Sequence, residues 1–225
     1  MTEFTNLTYD KFAERAKDPN LSKYEKIGFP DEIRRGLESF IFFNIRDKIK
    51  GFNKTRRRVI DIGCGCSELP KMLSELCLTQ NNELILIDSP EMLEALGKIP
   101  WGTKMAGKFP DLIYELMLNW ADIVIAYSVL HHVYAESEIA VWDFLAGATA
   151  LLDRGGELLV GDLPNLDKRI RHGLPETQET YSFTDAFLLE ICRVHRRLGY
   201  DAYILSQSAP LPFYQSRDDI LIRRI

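Results

Sequence analysis

From residue 58 onward, short apolar runs alternate with longer stretches in which apolar positions recur every three or four residues. Short runs closed by Gly, Asp or Pro predict buried strands, and the longer pattern predicts helices. Strands are predicted at 58–62, 84–87, 104–106, 123–126, 158–161, 203–205 and 220–222. Helices are predicted at 69–77, from Pro90 onward, at 140–152 and at 183–198, the last closed by Gly199. Asp153-Arg154-Gly155-Gly156 reads as a turn. Continuous apolar strands separated by helices imply a parallel sheet covered on both faces. The last two strands have no helix between them and pair as an antiparallel hairpin at one edge. The expected fold is α/β: a doubly wound, mostly parallel seven-stranded sheet with an antiparallel C-terminal hairpin and a helical N-terminal cap.

The first fifty residues carry a different pattern. One helix is expected to open at Asp31 after Pro30 and run through Leu37, Phe40, Ile41, Phe42 and Ile45 to Gly51. Residues 9–28 are polar with scattered aromatics and read as a cap or lid. The chain divides into a cap at 1–52 and an α/β domain at 53–225.

Composition narrows the classes. The chain has 225 residues, 46% hydrophobic and 27% charged, the balance of a globular protein. No apolar run is long enough to span a bilayer. Met1-Thr2-Glu3-Phe4 lacks the regions of a signal peptide, so the expected location is the cytoplasm. Cys64, Cys66, Cys77 and Cys192 lack the spacing of a zinc site and are expected to be reduced thiols. A net charge of −5 argues against a nucleic-acid partner, although Arg56-Arg57-Arg58 and Arg193, Arg196 and Arg197 form short basic clusters.

The chemistry gathers where the first strand ends, in Asp61-Ile62-Gly63-Cys64-Gly65-Cys66-Ser67. Parallel sheets bind ligands at the carboxyl ends of their strands. Gly63 and Gly65 let the backbone turn sharply and approach a ligand closely. The second strand ends in Asp88, whose carboxylate can accept two hydrogen bonds from a ribose diol. Turn and acid describe a nucleoside site. The dinucleotide fingerprint requires a third glycine where this chain has Glu68, and a carboxylate there repels a pyrophosphate. A nicotinamide-dependent oxidoreductase is therefore disfavoured. S-adenosylmethionine, which has no phosphate and carries a cationic sulfonium, fits the acidic turn better.

Residues 58–162 resemble the class I, Rossmann-like methyltransferases that use S-adenosylmethionine. The resemblance rests on Asp61-Ile62-Gly63-Cys64-Gly65, on Ile87-Asp88, on Ala126-Tyr127-Ser128-Val129-Leu130-His131-His132 and on Leu152-Asp153-Arg154-Gly155-Gly156-Glu157-Leu158, in that order and at the family's spacing. It implies a methyltransferase domain at 53–225. Gly63, Cys64 and Gly65 would line the methionine half of the cofactor, with Asp61 in support. Asp88 and Ser89 would hold the ribose, Lys108 and Phe109 would lie beside the adenine, and Tyr127 would flank the methionine. Ser67 stands where the family often has a third glycine. Gly161-Asp162-Leu163-Pro164-Asn165 and Arg217-Asp218-Asp219-Ile220-Leu221-Ile222 also resemble small bacterial methyltransferases of polysaccharide and modified-sugar pathways. That resemblance implies a hydroxyl or amine of a sugar or phosphorylated metabolite as acceptor. The alternative is a methyltransferase-like module that binds a nucleoside without turnover.

Methyl transfer from a sulfonium is an in-line displacement with a good leaving group, so alignment and desolvation do much of the work. A base helps when the acceptor is a hydroxyl or an ammonium. Candidate catalytic residues are His131 and His132 after the fourth strand and Asp162 at the end of the fifth. Asp162 and Asn165 could also offer oxygen to a divalent metal, but the fourth strand ends in Tyr127-Ser128 rather than an acid, so no metal is expected. Residues 163–184 are a candidate substrate loop, in which Lys168, Arg169, Arg171 and His172 could hold an anionic acceptor. Tyr9, Phe12, Tyr24 and the loop at Pro210, Leu211, Pro212 and Phe213 are candidate walls.

Overall fold

The structure is a computed structural model and describes residues 7–174 and 181–225. Its seven strands are β1 (Arg58–Ile62), β2 (Glu83–Asp88), β3 (Thr103–Ala106), β4 (Ala121–Tyr127), β5 (Leu152–Pro164), β6 (Tyr200–Ser206) and β7 (Arg217–Arg224). They form one sheet in the order β3-β2-β1-β4-β5-β7-β6. The β1–β2, β2–β3, β1–β4 and β4–β5 pairs are parallel, and β7 pairs antiparallel with both β5 and β6. The expected α/β fold, with its antiparallel C-terminal hairpin, is present. The order reverses between β1 and β4, and a doubly wound sheet opens a crevice at such a point.

The helices are α1 (Tyr9–Lys17), α2 (Lys23–Lys26), α3 (Asp31–Arg34), α4 (Glu38–Lys48), α5 (Leu69–Gln80), α6 (Pro90–Leu96), α7 (Leu130–Glu136), α8 (Glu138–Ala150), α9 (Leu166–Arg171) and α10 (Asp185–Arg197). Strand residues alternate between the two faces. Ile60 and Ile62 of β1 and Val124 of β4 pack with Phe144 and Leu145 of α8 and Ile191 of α10. Val59, Ile123 and Ile125 pack on the other face with Ile41 and Ile45 of α4 and Leu69 and Leu73 of α5. Both sheet faces are therefore dry, which explains the unbroken apolar strands.

Three expectations about elements change. The helix expected from Asp31 to Gly51 is two helices, α3 and α4, because Gly36 sits at φ +83° between them. The turn expected at 153–156 lies inside β5, whose pairing with β4 is irregular there. The segment expected to be a polar loop contains α9, capped by Asn165, whose Oδ1 accepts from Lys168 N at 3.0 Å. Residues 175–180 of that segment lie outside the described residues. Among the described residues no helix is long and apolar enough to cross a membrane.

Candidate active site

The glycine turn after β1 is stitched to the end of β2. Gly63 N donates to Ile87 O at 2.8 Å, and Gly65 N donates to Asp88 Oδ2 at 2.8 Å. Gly63 and Gly65 have φ of +68° and +69°, where a Cβ is strained. Ser67 needs no such freedom. It is buried, and its Oγ donates to Glu38 Oε2 of α4 at 3.3 Å. Glu68 pairs with Lys23 of α2 at the start of α5, where a dinucleotide would need its pyrophosphate.

A cleft of about 970 Å³, its mouth included, opens over this turn. Gly63, Cys64, Gly65, Asp88, Lys108, Phe109 and Tyr127 all line it, so most of the positions expected to contact a cofactor come together. Two do not reach it. Asp61 points to the opposite side of β1, into a small cavity lined by Phe42, Ile45 and Leu69. Ser89 is buried as the N-cap of α6, where its Oγ accepts from Met92 N at 3.1 Å.

The acids here are strongly perturbed. Burial, then the neighbouring Asp88, pushes the Asp61 carboxyl up to about 7. Burial also raises Asp88, to about 6, against the pull of two backbone N–H groups, those of Gly65 and Ser89. Tyr9 of α1 is pushed up to about 12 by burial and by Asp88, which sets its phenol beside the expected ribose acid.

The three candidate catalytic residues have different fates. His132 lines the cleft, with its ring edge-to-face against Phe12 at 4.8 Å. Burial, then the charge of Arg217, brings it down to about 4, so it is a neutral imidazole near pH 7. The His131 ring lies against it, tilted by 43° with centroids 4.0 Å apart; it does not line the cleft, and burial holds it well below its ordinary value. Asp162 does not line the cleft either. It accepts from Ser128 Oγ at 2.6 Å and from Arg217 Nη1 at 2.9 Å. Burial pushes its carboxyl up, but Arg217, Ser128 and Gln207 outweigh that and keep it below the ordinary range. An ion-paired carboxylate of this kind is a weak base. Ser128 and Asp162 are both non-glycine residues at positive φ, +60° and +64°, and their mutual hydrogen bond holds the ends of β4 and β5 in this shape.

The cationic segment is turned away from the cleft. Lys168 is buried and pairs with Asp218 at 2.6 Å, and Arg171 pairs with Asp185. None of Lys168, Arg169, Arg171 and His172 lines the cleft, which removes the expected anion grip. Asn165 Nδ2 donates to Asp185 and Asp218, at 2.8 Å each. Among the candidate walls, Tyr9 and Phe12 face the cleft, while Tyr24 is core and Leu211 is buried in the second cluster. Sequence reasoning missed Phe29, Arg34 and Glu136, which also line the cleft; Glu136 Oε1 accepts from Lys108 Nζ at 2.9 Å. Arg34 lay inside what reads as a continuous helix. Only the break at Gly36 could have drawn attention to it.

No protein-family model matches the chain, and no curated protein matches it by sequence. Solved structures do match it. The magnesium protoporphyrin IX methyltransferase of Synechocystis PCC 6803, solved with S-adenosylmethionine bound, superposes with a TM-score of 0.59 at 16% identity, over 98% of this chain and 93% of that one. A plantazolicin methyltransferase in complex with S-adenosylhomocysteine gives a TM-score of 0.62 at 16% identity, over 100% and 96%. An O-methyltransferase family protein from Burkholderia thailandensis gives 0.64 at 16% identity, over 96% of this chain and 63% of that one. At such identities the likeness is one of architecture, and this chain has the Rossmann-like methyltransferase fold.

Proposed function

We propose that this chain transfers a methyl group from S-adenosylmethionine to a hydroxyl or amine of a small molecule. The observation that carries the reading is Asp88: a carboxylate fixed by Gly65 N at the end of β2, on the wall of a cleft that crosses the sheet's switch point. Each Asp88 oxygen accepts one backbone N–H and keeps lone-pair capacity for a ribose hydroxyl. Met92, Phe109 and Phe144 supply an apolar slot on the β2–β3 side, suited to an adenine. Gly63 and Gly65 offer a wall without side chains to the methionine half, opposite Tyr127.

The acceptor then lies beneath the N-terminal helices, against Phe12, Val129, His132 and Val133. A sugar-derived acceptor would lay an apolar ring face on these groups. Of the three candidate catalytic residues, His132 is the one that lines the cleft. As a neutral ring it accepts a hydrogen bond from the acceptor's hydroxyl or amine and turns the lone pair toward the methyl carbon. It is a weak base, so the main contributions are alignment and the dry surroundings.

Titration calorimetry with S-adenosylmethionine and S-adenosylhomocysteine tests the donor half. Both are expected to bind, and NAD is not. Asp88→Ala is expected to weaken both at least roughly tenfold, the scale of a lost charge-assisted hydrogen bond. Unchanged affinity would take Asp88 out of the site, and NAD binding alone would overturn the reading.

A further inference from the structure

Arg34 ends the short helix α3, and the residue is 6% exposed on the cleft wall. It lies over the Phe29 ring, 4.8 Å from the centroid. Its Nε donates to Glu38 Oε1 at 2.8 Å, and the other Glu38 oxygen accepts from Ser67 at 3.3 Å. Among the described residues, its two terminal nitrogens have no hydrogen-bond partner. Arginine has five N–H donors in a fixed fork. With one donor used and the residue on the cleft wall, the remaining N–H groups of the fork are left for an acceptor from outside the protein.

The position of the fork says which acceptor. Strands β3, β2, β1 and β4 are consecutive in the sheet, so Phe109, Asp88, the glycine turn and Tyr127 follow one another across the cleft. Through Glu38 the fork is tied to Ser67, just past the turn. Its charge is also felt at Tyr127 and Asp162, at the ends of β4 and β5. It therefore stands at the end of the cleft opposite the adenine slot. A nucleoside bound at Asp88 with an amino acid on its 5′ side would deliver a carboxylate there.

We propose that Arg34 anchors the methyl donor, its two terminal N–H groups holding the α-carboxylate of the methionine half in a bidentate pair. This rests on the methyl-donor reading and adds a positioning residue to it. The shared Glu38 would then fix the fork and the end of the glycine turn together. Because α3 belongs to the N-terminal helices, donor binding would also tie those helices to the sheet.

The test is calorimetry of the full-length protein with two probes that share the adenosine. S-adenosylhomocysteine carries the carboxylate, and 5′-methylthioadenosine does not. Arg34→Gln is expected to weaken the first by roughly tenfold to a hundredfold. It is expected to leave the second within about twofold, since its fork contact is absent. Arg34→Lys keeps the charge but loses the fork and is expected to fall between wild type and Gln. Unchanged affinity of Arg34→Gln for S-adenosylhomocysteine overturns the proposal. Equal loss of both probes also overturns it, since Arg34 would then only hold the pocket's shape. If Arg34→Gln does not fold, the same comparison on Arg34→Lys decides: a selective loss of S-adenosylhomocysteine supports the anchor, and no selective loss overturns it. If wild type binds neither probe, the methyl-donor reading itself fails.

Discussion

Asp61 sits at 4% exposure on the α4–α5 face of β1, and among the described residues no hydrogen bond reaches its carboxylate. Its proton is held to about pH 7 when folded, against an ordinary value of 3.8. The folded protein therefore binds more protons than the unfolded chain between those values. Stability contributed by this group is full at low pH and declines as pH rises from about 3.8 to about 7. Asp61→Asn removes the titration while keeping the shape. It is expected to be more stable than wild type at pH 8 by roughly 2 kcal/mol, each pKa unit being about 1.4 kcal/mol. The difference should shrink toward zero near pH 4, and urea unfolding at the two pH values measures it. His132 acts in the opposite sense. Its folded value of about 4 lies below the ordinary 6.5, so its contribution is lost as pH falls through that window. A wild-type profile flat from pH 4 to 8 could arise from their cancellation, which is why the variant difference is the informative quantity.

At the scale of elements, α4 is pinned to the sheet by one buried carboxylate. Asp219 of β7 is fully buried and accepts from Asn44 Nδ2 at 3.0 Å, from Lys48, and from Asp162 N at 2.8 Å. The β5–β7 register shifts between Val160 and Leu163, which frees the Asp162 N–H from the ladder for this bond. Asp219→Ala strands a nearly buried ammonium and two buried polar groups, so a loss of about 3–5 kcal/mol is expected in denaturant midpoints. Asp219→Asn keeps an acceptor and should lose less. None of this network is legible along the chain, because residues 44, 48, 162 and 219 meet only through the tertiary fold. The strands were legible for the opposite reason: each is buried on both faces and reads as an apolar run within itself. Helix α7 escaped notice because it is seven residues long and follows β4 without a breaker, so its histidines read only as lying after the fourth strand. The glycine turn and Asp88 were readable from local chemistry. Arg34 was not, since its meaning depends on Glu38 and Ser67 across the cleft.

For the whole molecule, the N-terminal helices lie directly on the expected cofactor site. A Cβ on Gly65 would meet Ile27 at 2.9 Å, Tyr9 and Phe12 face the cleft, and Lys17 of α1 reaches Glu91 of α6 at 2.9 Å. Lys108 and Glu136 add an ion pair between cleft-lining residues on the sheet side. These surface pairs are individually weak. The helices are short, so their position depends on side-chain packing more than on their own hydrogen bonds. A donor nucleoside bound in the cleft beneath Ile27 and Tyr9 adds contacts to both layers. Ligand that binds only the closed form lowers the open population in proportion to its occupancy. Saturating S-adenosylhomocysteine is therefore expected to slow amide exchange in α1, α2 and α3 at least roughly tenfold, at ligand well above its dissociation constant. β6 and α10, on the far edge of the sheet, should change little below the global unfolding limit. Exchange that slows equally everywhere would mean that the ligand stabilises the fold as one unit. Exchange unchanged in α1–α3, with binding shown by calorimetry, would mean that the ligand enters by another route and that these helices are a fixed wall.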